Sequence, residues 1–191
     1  MTDIPSHHLI YGTLCDFITG ETIPDTDDER YRQGLARFLV EAKGYAKSDI
    51  EVRREIETLF ANQFVVSKID FVVKVNGRRF MVVRYGPGSI VTRERSAVAA
   101  ARVLDPAYII PVAVATNGQD AAIIDAVTGK AIGEGLDALP DRDQAGSLSE
   151  TLQFVPLPKE RREGELRILN AYDVQVCCTG GPCPLPGAPE G

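Results

Sequence analysis

A chain of 191 residues with 44% hydrophobic and 25% charged residues has the composition of a soluble globular protein and the length for one sizeable core. No apolar run approaches the roughly 18 residues of a membrane span, and the start MTDIPSHHLIYG lacks the basic and apolar regions of a signal peptide, so the expectation is a cytoplasmic protein with no membrane partner. A net charge of −6 argues against a generally basic nucleic-acid binder.

In chain order, residues 1–15 read as an N-terminal arm, with no role assigned to His7 and His8. The acidic run Asp25 to Glu29 favours a helix start. Tyr31, Leu35, Phe38 and Leu39 then recur at helical spacing until Gly44 ends the helix near residue 43. Ile50, Val52, Arg54, Ile56 and Thr58 alternate with charged residues, which predicts a half-exposed strand. Residues 64–75 and 79–85 are predicted to form a hairpin across Asn76-Gly77, a strong two-residue turn signal. Its second strand, Phe80-Met81-Val82-Val83, is apolar and β-branched, whereas its first carries one acid, Asp70, among apolar residues.

Ser89 to Leu104 is Ala-rich and predicts a second helix with Val98, Ala101 and Val103 inward. Ile109 to Thr116 predicts a buried strand ending at Asn117-Gly118. A further hairpin is expected from Ala121–Asp125 and Lys130–Ile132 across Val127-Thr128-Gly129. Gly135 to Val155 reads as polar and irregular. A last amphipathic helix, about 158–173, carries Leu166, Leu169 and Tyr172 on one face. The order predicts a mixed sheet flanked by helices, α/β or α+β. The expected divisions are the arm, a core at 16–140, a C-terminal extension at 141–176 containing the last helix, and a flexible Gly/Pro/Cys tail at 177–191.

Two local features bear on function. The cysteines Cys15, Cys177, Cys178 and Cys183 lack the paired spacing of a zinc site and read as free thiols. Between Arg78 and Leu104 six arginines (78, 79, 84, 93, 95 and 102) face one acid, Glu94, so this segment carries +5 and the rest of the chain −11. Arg84, Arg93 and Arg95 are the candidate anion-binding residues. The bland alternative is a solvated helix face with strand-end arginines.

The order αβββαβ with an Asp on the second strand resembles the restriction-endonuclease-like fold. In ETIPDTDDERYRQGLARFLVEAKGYAKSDIEV, the series Glu29, Arg32-Gln33, Leu39, Gly44-Tyr45 and Ile50 resembles the opening of the type I restriction enzyme R-subunit N-terminal domain family. Lys68-Ile69-Asp70 fits that family's Asp-bearing strand, and Ala115-Thr116-Asn117-Gly118 its later Thr-Asn-Gly. The resemblance covers about residues 16–135. It implies a PD-(D/E)xK nuclease using Mg²⁺, in which Asp and a second acid bind the ion and a lysine two residues on stabilises developing charge.

The sequence departs from that pattern. Anchored on Pro87, the positions of the second acid and the lysine are Val83 and Tyr85, or Arg84 and Gly86 without the family's intervening residue. A glutamine common on the following helix falls near Arg95. Asp70 with Glu29 is what remains of the ligand set, no metal or other cofactor is expected, and Asp70 is expected to pair with Arg84 as an internal ion pair or to meet a backbone donor. The leading expectation is a catalytically degenerate nuclease-fold domain with weak binding of DNA or a protein partner. The alternatives are an active Mg²⁺-dependent endonuclease whose second acid comes from Glu51, Glu55 or Glu57, and an interaction module with no DNA role. The chain contains no G-x4-G-K-[ST] phosphate-binding loop, so ATP-coupled cleavage would need another chain.

Overall fold

Thr26 caps the first helix: its side chain accepts the Glu29 N–H at 3.2 Å, and Asp27, Asp28 and Glu29 place negative charge at the positive end of the helix. The computed structural model describes residues 10–60 and 63–173, with side chains left aside at 59–64, 172 and 173. His7, His8, Cys177, Cys178, Cys183, the 177–191 tail and the Tyr172 side chain lie outside them. Before the helix stands a two-stranded antiparallel hairpin, β1 (Gly12–Cys15) and β2 (Thr22–Asp25). The expected arm, residues 1–15, thus ends in a strand: both strands are only four residues long and mostly exposed, too short for a periodic signal. Cys15 is an exposed free thiol. Helix α1 (Asp27–Arg37) runs into one wider turn at Phe38–Ala42, and Gly44, at φ +75°, ends it.

The main sheet has six strands in the order β3 (Ile50–Phe60), β4 (Gln63–Val75), β5 (Arg78–Tyr85), β6 (Val112–Thr116), β7 (Ala121–Asp125), β8 (Ala131–Glu134). All pairs are antiparallel except β5 with β6, which are parallel and joined through helix α2 (Val91–Val103). Asn76 and Gly77 both adopt positive φ (51° and 77°), the geometry that Asn-Gly supplies in a two-residue turn. The fold is mixed α/β, consistent with a nuclease-like fold.

The segment expected to be irregular after Gly135 is ordered. A short turn at Leu136–Ala138 leads to helix α3 (Arg142–Thr151). Asp141 accepts the Gln144 N–H at 2.8 Å while Gln144 Oε1 accepts the Asp141 N–H at 3.0 Å, a reciprocal capping box that the polar composition obscured. Helix α4 (Lys159–Asp173) follows. Both pack on the sheet: Ala145 of α3 joins the cluster on the α1 side, and Leu169 of α4 the cluster on the α2 side.

The two faces explain how the site is placed. On one, Leu35 and Ala36 of α1 and Leu39 of the wider turn that follows it cover Phe71, Val73, Met81, Val83 and Val114. On the other, α2 and α4 cover Val72, Val82, Ala113, Ala115 and Ile124. Ile50 belongs to the first cluster but Ile56 to the second, although both have the same strand parity; Phe71 and Ile69 divide in the same way. Arg53 lies at this step with φ +50°, an uncommon backbone for a non-glycine residue, and no register partner intervenes between Val52↔Phe71 and Arg54↔Ile69. The β3–β4 ribbon turns over there, with Asp70 on the opposite strand.

Leu169 is fully buried, so Leu169→Ala is expected to cost about 2–5 kcal/mol. Urea unfolding is the measurement, with the midpoint lowered and the slope unchanged.

Candidate functional site

Pairing of β4 with β5 ends at Phe71↔Val83, leaving the next backbone donor of β5 to find another partner. Asp70 supplies it: Oδ2 accepts the Tyr85 N–H at 2.7 Å, and Oδ1 accepts Arg32 Nε at 2.6 Å. Its side chain is 11% exposed. Burial pushes the carboxyl pKa above its ordinary value, against the charge and hydrogen bond of Arg32, the Tyr85 N–H and the nearby charge of Arg84.

Helix α1 builds the rest. Glu29, Arg32 and Gln33, at helical spacings of three and four, share one face. Arg32 Nη1 reaches Glu29 Oε2 at 3.4 Å, and its guanidinium lies 5.2 Å from the centre of the Tyr85 ring. The Tyr85 hydroxyl donates to Asp28 Oδ1 at 3.0 Å, and its ring stacks on Tyr31 at 5.9 Å. Gln33 Nε2 donates to Glu29 Oε1 (2.9 Å) and Asp16 Oδ2 (3.1 Å). Asp16, just beyond β1, also accepts Arg53 Nη1 at 2.6 Å and the N–H groups of Ile18 and Thr19. A polar chain thus runs from Asp16 through Gln33, Glu29 and Arg32 to Asp70.

Of the expected partners of Asp70, Arg84 or a backbone donor, the backbone donor is present as the Tyr85 N–H, while the arginine hydrogen-bonded to Asp70 is Arg32. The correction follows from strand alternation. Val83 and Tyr85 face α1, whereas Arg84 faces α2, where its Nη1 donates to the buried Ser96 Oγ at 2.9 Å. On the face that holds Asp70, Arg32 and Glu29, β5 presents Val83 and Tyr85, and Val83 is buried in the core.

The other candidates are dispersed. Arg93 folds over the Gly86-Pro87-Gly88 turn and donates to the Pro87 carbonyl at 3.1 Å. It lies so close to Gly86 that a Cβ there would collide with its guanidinium. Arg95 is exposed and lines a separate groove of about 300 Å³ with Glu94, Arg102 and Glu165. Arg84, Arg93 and Arg95 therefore do not share one concave face. Glu51 is held by Arg79 at 2.9 Å and Arg54 at 3.3 Å, while Glu55 and Glu57 are exposed on β3 beyond its turnover. None of the three is hydrogen-bonded to the Asp70 network.

A divalent ion wants several hard oxygen ligands with room for water. Both Asp70 oxygens here accept hydrogen bonds from the protein, and a guanidinium bridges Asp70 to Glu29. Among the described residues no group of three or more His, Cys, Asp or Glu is placed to hold a metal. The residues around Asp70 do not fit Mg²⁺. Sequence reasoning missed Asp16, Asp28 and Arg53 as members of the network. The one signal available was the polar face Asp28, Glu29, Arg32, Gln33 on α1.

Sheet order, the crossover helix between the parallel strands and the acid in the middle of β4 together describe a mixed α/β domain of nuclease-like architecture. The chain matches the family described as type I restriction enzyme R protein N terminus (HSDR_N) over residues 27–140, and it belongs to that family. No curated protein and no solved structure matches it. No helix among the described residues is long and apolar enough to cross a membrane.

Asp16 provides a pH test. Burial opposes its ionisation, but the Thr19 N–H, Arg53 and Gln33 prevail and lower its pKa from 3.8 to about 2. Because the folded value is depressed, its stabilisation is fully present above the unfolded pKa, near 4, and is lost as pH falls through about 2. Allowing for solvent screening this is worth about 1–2 kcal/mol. The difference in unfolding free energy between wild type and Asp16→Asn is expected to be constant above about pH 5 and to shrink by that amount towards pH 2.

Proposed function

We propose that this domain is a nuclease-fold module that has lost phosphodiester cleavage, acts in the cytoplasm, and keeps a weak, sequence-independent hold on nucleic acid or a protein partner. The observation that carries this reading is Arg32 on Asp70, with Val83 and Tyr85 at the strand positions a metal-dependent nuclease would give to an acid and a lysine. Cleavage by that chemistry requires an ion to polarise the phosphate and activate water, and a cation to meet developing charge. Arg32 is cationic, but both its described carboxylate partners are groups the ion would need.

Plasmid DNA incubated with the pure protein and Mg²⁺ or Mn²⁺ is expected to stay intact. Cleavage that disappears in Asp70→Ala would replace this reading with that of a Mg²⁺-dependent endonuclease using a relocated second acid.

The binding half of the proposal rests on the +5 charge of residues 78–104, although the guanidinium of Arg84 lies on Ser96 and that of Arg93 on the Pro87 carbonyl. Net acidity should keep DNA affinity weak, with Kd on the order of 10⁻⁴ to 10⁻⁶ M near physiological salt and steeply salt-dependent. Fluorescence anisotropy with labelled duplex and single strands is the measurement. Arg84→Ala/Arg93→Ala/Arg95→Ala is expected to lower binding and flatten the salt slope. Binding unchanged by the triple substitution, or no binding at low salt, would favour the interaction module with no DNA role.

A further inference from the structure

On the face of the sheet away from α1, a groove of about 300 Å³ lies between α2, α4 and the β7–β8 turn. Arg95, Val98 and Arg102 line it from one face of α2, and Glu165 and Ile168 from one face of α4. Ile124 of β7 and the turn residues Thr128 and Gly129 complete it. Val98 and Ile124 are buried and Ile168 is partly buried, so the middle of the groove is apolar and its ends are charged.

The inner end is rigid but incomplete. Arg102 spends every nitrogen on the fold: Nε donates to the Ala126 carbonyl at 2.7 Å, Nη1 to Glu165 Oε1 at 2.7 Å and Nη2 to the Val127 carbonyl at 3.3 Å. Arg161 lies 3.5 Å from the same Glu165 oxygen. Glu165 is only 5% exposed, yet its other oxygen, Oε2, accepts no hydrogen bond among the described residues. Buried acceptors are nearly always satisfied, and one that is not calls for a donor. The outer end has the opposite need. Arg95 is exposed and has no hydrogen bond or ion pair among the described residues, in contrast with Arg79, Arg84, Arg93 and Arg102.

The geometry points to a small-molecule site in this groove for an elongated monocarboxylate: its carboxylate meets Arg95, its apolar body lies on Val98, Ile124 and Ile168, and its far hydroxyl donates to Glu165. A guanidinium with free donors matches a carboxylate through two parallel bonds. Arg95 and Arg102 are two helical turns apart, about 10 Å along the axis, so a compact ion cannot serve both ends. Glu165 already faces two guanidinium groups, which makes a neutral hydroxyl a better guest there than an ammonium. Glu94 and Glu165 also line the groove and offset its two arginines, which disfavours the backbone of a nucleic acid. The site is therefore distinct from the nucleic-acid reading and does not depend on the loss of nuclease chemistry.

The test adds 4-hydroxybenzoate, with a carboxylate and a hydroxyl at opposite ends of one ring, to the nitrogen-15-labelled full chain. Benzoate lacks the hydroxyl, and 4-hydroxybenzyl alcohol lacks the charge. 4-Hydroxybenzoate is expected to bind with Kd on the order of 10⁻⁴ to 10⁻³ M and to shift the Thr128 and Gly129 amide signals. The two comparison compounds are expected to bind about tenfold more weakly. Arg95→Ala removes an exposed side chain without partners, so the fold is expected to stay intact. It should weaken 4-hydroxybenzoate binding about tenfold and leave 4-hydroxybenzyl alcohol binding unchanged. No saturable shift at millimolar concentration, or shifts confined to other parts of the chain, would overturn the proposal. So would benzoate binding as tightly as 4-hydroxybenzoate, or 4-hydroxybenzoate binding that Arg95→Ala leaves unchanged.

Discussion

Asp70 meets Arg32 across the junction of α1 and β4, and the surrounding polar structure is arranged around that contact. A carboxylate with 11% of its side chain exposed cannot stay charged without partners, since an unpaired buried charge costs several kcal/mol. Arg32 and the Tyr85 N–H provide those partners, and each is tied to something further. Tyr85 binds Asp28 and stacks on Tyr31, and Arg32 reaches Glu29, which leads through Gln33 to Asp16 and Arg53. Helix α1, the N-terminal hairpin and the end of the central strands are thereby joined by one polar network. Such a network is stabilising only when all its members are satisfied, which makes it sensitive to single substitutions.

The contact depends on a backbone event. Were β3 and β4 to keep one face throughout, residues of one parity would stay with a single core, yet Ile50 and Phe71 pack beside α1 while Ile56 and Ile69 pack on the α2 and α4 side. The turnover at Arg53, at φ +50°, sits where Asp70 turns towards α1. Arg53 then uses its side chain to hold Asp16. One residue thus adopts an unusual backbone and anchors the hairpin.

The arginine-rich segment divides in the same manner. Arg79 holds Glu51 and Asp105, Arg102 holds the buried Glu165 at 2.7 Å, and Arg84 reaches Ser96. Much of the +5 seen in sequence is therefore spent within the fold on acids of the rest of the chain. That is the expected fate of arginines at strand ends and on a helix facing another helix, and it weighs against a continuous basic surface.

Local chemistry made much of the fold legible. The Asn76-Gly77 turn, the apolar β5 and β6, the Ala-rich α2 and the acidic start of α1 each depend on neighbours a few residues away, and each stands close to where the sequence places it. The ordered family words, the absence of a second acid and lysine around residues 83–86, and the lone acid at position 70 were readable for the same reason. Helix α3 was readable too, in its Asp141-x-x-Gln144 box, but was lost beneath a polar composition. Tertiary structure alone decided which arginine Asp70 meets, because that contact spans 38 residues and joins a helix to a strand. It also decided that Val83 and Tyr85, and not Arg84, share the site face, and that Asp16 belongs to the network. Strand periodicity fixes which residues lie on a common face, but the face that α1 covers is set by packing, and the turnover at Arg53 breaks the periodicity where the site is built.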